Sequence, residues 1–344
     1  MTRHLAEIDA SAAAGSEFAA ADRALFASAA QWLDASATGL ASPDWPRRLA
    51  AERGIDVATA GLHEHLRREG RLISGSEEGN HSLAEDSSDV ALGAALAIVP
   101  GAFYREYPQT GADGASLIAA ARALGCHATL VPTPSIGTLA EGANALLAWL
   151  ETQTADRIVL ASISKGGADV KVALADHRAA YAFAKVVGWI NIGGITDGSP
   201  MVNWLLQRKL PTLIYRFLFW RRGRNFQFIR DLDRRPDAPL SCPAAIPPHV
   251  RVVHVIGFPL AGHVRGKRAE AWHRRLAPLG PNDGAVILAD SLAIPGKVIA
   301  AWGADHFSPH QLDLQAMLTV AFREIFGHGN SSPVPRNALS PAVA

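Results

Sequence analysis

Cysteine is almost missing from this chain of 344 residues. The two present, Cys126 and Cys242, are too few and too far apart for a disulfide framework or a thiolate-rich zinc site, and one bridge between them stays open. Excess charge is missing as well. Lys and Arg number 33 against 32 Asp and Glu, so no global field points to nucleic acid as a partner. Long apolar runs are also lacking, since the most apolar stretches, near 90–99 and 210–220, are too short to span a bilayer. The opening residues, MTRHLAEIDASAAAGSEF, carry acid where a signal peptide needs an unbroken apolar core, which makes a cytoplasmic protein the expectation. No internal repeat is evident.

What is present suits a globular chain with a full core: 49% of residues are hydrophobic and 19% charged. Residues 1–75 place apolar side chains such as Leu25, Ala29, Trp32 and Leu33 at helical spacing, which predicts an N-terminal helical extension. Residues 76–89 combine Gly, Ser and acid with little to bury, a linker or loop. From 90 to 327 short apolar runs alternate with helical segments. Strands are predicted in 90–101, 127–132, 157–162, 185–193, 250–258 and 297–303. Apolar throughout, these strands predict an α/β fold with a mostly parallel sheet flanked by helices. An inserted cap is expected at about 199–248, and the Pro, Ser and Gly of 328–344 read as a flexible tail.

The run RIVLASISKGG (157–167) carries two serines where an apolar strand meets a helical pattern. A serine at the apex of such a turn needs small residues two positions before and two after it. Ser164 satisfies this with Ser162 and Gly166, whereas Ser162 should still lie in the strand. Ser162-Ile163-Ser164-Lys165-Gly166 resembles the G-x-S-x-G nucleophile elbow of the α/β-hydrolase family, with serine in place of the first glycine. The same letters fit S-x-x-K, the signature of penicillin-binding proteins and class A β-lactamases, but neither S-D-N nor K-T-G occurs.

A serine needs a histidine to take its proton and an acid to orient that histidine. The resemblance implies an order of serine, acid, histidine. His306 follows the predicted strand 297–303 in a glycine-containing loop, while His249 sits in a Pro-rich turn, His254 inside a strand, and His263 and His273 near arginines in a predicted helix. Asp283 in PNDG is similar to the turn acid of many bacterial lipases of the family; Asp197, after the strand 185–193, is the alternative acid, and Asp305 adjoins the histidine. The resemblance further implies an oxyanion hole from the backbone N–H groups of Lys165 and Ala102, the latter in the PGAF loop, with Phe103 as substitute and substrate contact.

Residues 201–230 hold seven basic residues, no acidic one and many large apolar ones. Two readings stand side by side. Trp204, Leu213, Phe217 and Phe219 could line an acyl pocket while the arginines meet anionic head groups or a membrane surface, or the apolar face packs on the core and the arginines snorkel. His63 and His65, two apart on a helix, point to different sides and do not suggest a metal site; Gly193-Gly194 lacks the spacing of a dinucleotide site. The resemblance implies a serine hydrolase of carboxylic esters without metal or cofactor, and the apolar character of the expected cap points to lipid-like or medium-chain acyl groups. A thioesterase or acyltransferase would use the same machinery, and a non-catalytic binding protein on this fold is the remaining alternative. The sequence implies no oligomeric state.

Overall fold

The computed structural model describes residues 17–36, 40–73, 94–307 and 312–327; the first sixteen residues, the expected linker at 76–89 and the expected tail at 328–344 lie outside these. Among the described residues three helices come first: α1 (Glu17–Ala35), α2 (Trp45–Arg53) and α3 (Ile55–Arg68). Ala29, Trp32 and Leu33 of α1 are buried, as their helical spacing requires. These helices share one apolar cluster with Ile256, Phe258 and Val298 of the sheet, so they pack on it instead of standing apart. Residues 71–73 also bond the edge of the sheet: Ile73 N–H donates to Val298 O and Val298 N–H to Arg71 O. An edge strand would otherwise leave those groups unpaired.

Six strands follow: β1 (Ala95–Val99), β2 (His127–Leu130), β3 (Ile158–Ile163), β4 (Val186–Ile192), β5 (Arg251–Phe258) and β6 (Lys297–Trp302). Their order is β2-β1-β3-β4-β5-β6, and every pairing is parallel. The reason is in the side chains. Leu96, Ile98, Val159, Ile190 and Val255 pack on one face under α4 (Ala115–Ala123) and a later C-terminal helix, while Ala97, Val99, Leu160 and Trp189 pack on the other under α5 (Leu139–Glu151) and α6 (Lys165–Leu174). Both faces are thus covered, and strands apolar at most positions are the outcome, with Ser162, Asn191 and His254 as buried polar exceptions. Thr138 and Glu141 start α5 with a capping box.

Between β4 and β5 the chain forms α7 (Pro200–Leu206), α8 (Lys209–Arg221) and a short turn of helix at Gln227–Arg230. Between β5 and β6 it forms α9 (Lys267–Leu276), and after β6 the C-terminal helix, α10 (Leu314–Phe326). Phe219, Phe228, Leu232 and Leu240 of the β4–β5 connection cluster with Leu139, Ala168, Ile195 and Val286. This cluster lies where the strands end. His263 falls in a turn before α9 and not in the predicted helix, because Gly266 at φ +95° begins that helix only after it. Both cysteines are free, Cys126 buried and Cys242 exposed, so the bridge left open by the sequence is not formed. Among the described residues no helix is long and apolar enough to cross a membrane.

Candidate active site

In a parallel sheet all strands end on the same side, so loops distant in sequence meet there. β3 ends at Ile163, α6 begins at Lys165, and Ser164 between them has φ +50° and ψ −112°. Only Ser164 and Phe103 hold positive φ without being glycine among the described residues, and such a conformation costs about 1–3 kcal/mol. Three backbone bonds hold the turn: Ser164 N–H donates to Ile192 O, and Ser164 O accepts from Gly167 and Ile195. Gly166 is small by necessity. A Cβ there would stand 2.3 Å from Val99 O and 2.9 Å from Pro100 O.

Ser164 Oγ lies 3.0 Å from His306 Nε2, and His306 Nδ1 lies 2.9 Å from Asp283 Oδ2. Asp283 is held by its own turn: its Oδ1 accepts from Ala285 and Val286 N–H, each at 2.9 Å, and its carbonyl accepts from His306 N–H. With Oδ1 so engaged, Oδ2 is left for the imidazole. Burial would push the His306 pKa down, but the Asp283 carboxylate, with Asp305 adding to it, outweighs burial and holds it above its ordinary value. Asp305 itself accepts from Phe307 N–H and shapes the loop. Asp197 is not in this relay. Its carboxylate is partly exposed and pairs with Arg234 at 3.5 Å, so the alternative acid is set aside.

The loop after β1 approaches the elbow closely: a Cβ on Gly101 would come within 3.3 Å of Ile163 O and 3.6 Å of Ser164 Cβ. The N–H of Lys165 opens α6 and has no partner within the helix. Neither this N–H nor that of Ala102 makes a backbone hydrogen bond among the described residues. Phe103 N–H, by contrast, donates to Ser135 O at 3.0 Å. As a substitute oxyanion donor Phe103 is therefore ruled out.

Ser162 shows why serine is tolerated where the motif has glycine. It is fully buried in β3, accepts from Trp189 Nε1 at 2.8 Å and donates to Asn191 Oδ1 at 3.1 Å. Asn191 in turn meets His254 Nδ1, whose other nitrogen meets Ile294 O. These residues stand side by side because the register puts Ser162 opposite Asn191 and Asn191 opposite His254. Ser162 is thus a structural hydroxyl. The Lys165 side chain turns inward as well, its Nζ 2.7 Å from both oxygens of buried Asp169. It is tied to Asp169 and not to Ser162, which removes the S-x-x-K reading.

The expected acyl-pocket residues divide. Phe103 stands edge-on to Phe228, and Phe219 stacks on Phe228, so both belong to the apolar cluster at the strand ends. Leu213 and Phe217 are more than half exposed and do not line an enclosed pocket, because α8 spends its inner face on Phe219. Trp204 is occupied by its neighbours: the Arg208 and Arg275 guanidiniums lie 4.2 and 4.0 Å from its ring centre, and Trp272 meets it edge-on. His63 sits among the rings of Phe26, Phe258 and Trp302, while His65 pairs with Glu69. Gly193-Gly194, which lacks the spacing of a dinucleotide site, instead borders the relay, a place not read from its sequence. A Cβ on Gly193 would stand 3.6 Å from His306 Nδ1, and Gly194 lies against Gly167 of α6. The visible signal was a glycine pair directly after a strand.

No family model matches the chain, and no curated protein does. Solved structures do. One is a metagenomic carboxyl esterase, 21% identical, with a TM-score of 0.55 over 69% of this chain and 76% of that one. Another is a Bacillus licheniformis lipase in its propeptide form, 19% identical, with a TM-score of 0.51 over 72% of this chain and 52% of that one. The chain has the α/β-hydrolase fold.

Proposed function

We propose that this chain is a serine hydrolase that cleaves carboxylic esters bearing lipid-like or medium-chain acyl groups through an acyl-enzyme. The carrying observation is the unbroken relay of 3.0 Å from Ser164 to His306 and 2.9 Å from His306 to Asp283. Ser164 Oγ attacks the ester carbonyl carbon as its proton passes to His306 Nε2. Asp283 keeps the Nδ1–H tautomer and stabilises the imidazolium. The carbonyl oxygen, now an oxyanion, accepts from the N–H groups of Ala102 and Lys165, and the positive end of α6 adds to this stabilisation. Collapse breaks the bond to the alkoxide, which takes the proton from His306; water then repeats the sequence on the acyl-enzyme.

The acyl chain is assigned to the apolar surface beside Ser164, with Phe103 and Phe228 as its walls, which supports an apolar acyl group. The reaction uses only groups of the chain itself, and the substrate is a small ester met in the cytoplasm. Thioester cleavage and acyl transfer would follow the same steps with a different leaving group or acceptor, and a panel of esters and thioesters of graded length ranks them. The direct test is labelling with a fluorophosphonate. The wild type and Ser162→Ala should label and Ser164→Ala should not. Absence of wild-type labelling would leave a binding protein as the better reading.

A further inference from the structure

Helix α8 carries its apolar residues on the wrong side for a water-facing helix. Leu210, Leu213, Ile214, Phe217 and Trp220 follow the spacing i, i+3, i+4, i+7 and i+10, which aligns them in one stripe. All five are exposed, Leu210 by 75% and Trp220 by 73%. The Phe217 and Trp220 rings lie 5.7 Å apart, making a continuous aromatic surface. The opposite side of the helix is already occupied: Phe219 is buried against Phe226 and Phe228, and Phe228 touches Phe103 beside the Ser164 turn. The stripe is therefore not the packing face of the helix. A contiguous exposed apolar surface of this kind marks an interaction site.

Charge selects the occupant. Lys209, Arg216, Arg221 and Arg222 are exposed around the stripe, and no Asp or Glu occurs between 201 and 230 to neutralise them. A second copy docking here by two-fold symmetry would bring the same cations face to face. An anionic lipid surface meets both halves of the pattern: Leu, Ile, Phe and Trp enter the head-group and acyl boundary while Lys and Arg contact the phosphates. We propose that α8 docks this protein on an anionic phospholipid bilayer, with the stripe from Leu210 to Trp220 inserted and the end of the sheet that bears Ser164 turned towards the membrane. The docking surface stands apart from the hydrolase reading, since binding requires no catalysis.

Co-sedimentation of the full chain with vesicles tests this. Vesicles of phosphatidylcholine and phosphatidylglycerol in equal parts should bind the protein, and vesicles of phosphatidylcholine alone should bind it about tenfold less. The triple variant Leu210→Ser, Ile214→Ser, Trp220→Ser should lose about tenfold in binding to the anionic vesicles while keeping the wild-type unfolding temperature. Arg216→Glu with Arg221→Glu should abolish the preference for phosphatidylglycerol. The proposal fails if the wild type ignores anionic vesicles or if the triple variant binds them as well as the wild type. It also fails if the stripe instead supports a concentration-dependent dimer lost in that variant. Fluorophosphonate labelling of Ser164, run on the same samples, reports on the hydrolase reading separately.

Discussion

Replacing Asp283 by Asn removes one charge and almost no volume, and the turn around it dictates how the amide must sit. Asp283 Oδ1 accepts from two backbone N–H groups, those of Ala285 and Val286. If the Asn oxygen keeps those bonds, its NH2 faces His306 Nδ1, which must then accept; the ring proton moves to Nε2, and that nitrogen can no longer take the Ser164 proton. The flipped amide would restore the tautomer but would set its NH2 against two donors, forfeiting two hydrogen bonds at about 1–3 kcal/mol each. The first arrangement wins. A wrong tautomer in a triad of this kind lowers kcat by about 10⁴, or about 5.4 kcal/mol of transition-state stabilisation. The assay is hydrolysis of a p-nitrophenyl ester, with thermal unfolding to show an intact fold. Loss of the negative charge should also let the His306 pKa fall, moving the acid limb of residual activity to lower pH. Turnover within tenfold of wild type, or an equal loss in Asp197→Asn, would refute the assignment.

Further outcomes follow from the same geometry. In the wild type His306 acts as a base only when neutral, and the Asp283 carboxylate holds its pKa above the ordinary imidazole value, so kcat/KM should fall with decreasing pH through a midpoint higher than that of a free imidazole. Gly166→Ala would place a methyl 2.3 Å from Val99 O, so unfolding in urea should show a loss of about 1–3 kcal/mol and kcat should drop as the Ala102 loop is displaced. Lys165→Met leaves Asp169 buried without its cation and should cost about 3–5 kcal/mol, measured by urea unfolding, whereas the double change with Asp169→Leu should recover most of it.

The local features were legible in the sequence because they depend on neighbours along the chain. Apolar runs fixed the six strands, and alternation with helices fixed a parallel sheet. Small residues around Ser164 singled out one serine of two, and a turn dipeptide and a strand end, taken with the order of serine, acid and histidine that the family resemblance implies, nominated Asp283 and His306. Which acid reaches the imidazole was a different kind of question: Asp197 and Asp283 both occupy plausible turns, and only the convergence of chain separated by dozens of residues shows Asp197 joined to Arg234. The same holds for Phe103, whose N–H is consumed by Ser135, and for Ser162, whose hydroxyl answers Trp189 and Asn191 across two strands. The direction of α8 likewise escaped its sequence, because its apolar content fits either side and packing around Phe219 decided which side went in. Periodicity and turn chemistry are one-dimensional and can be read from order alone; hydrogen-bond partners and helix facing depend on which distant groups fill the space first, and that the fold alone determines.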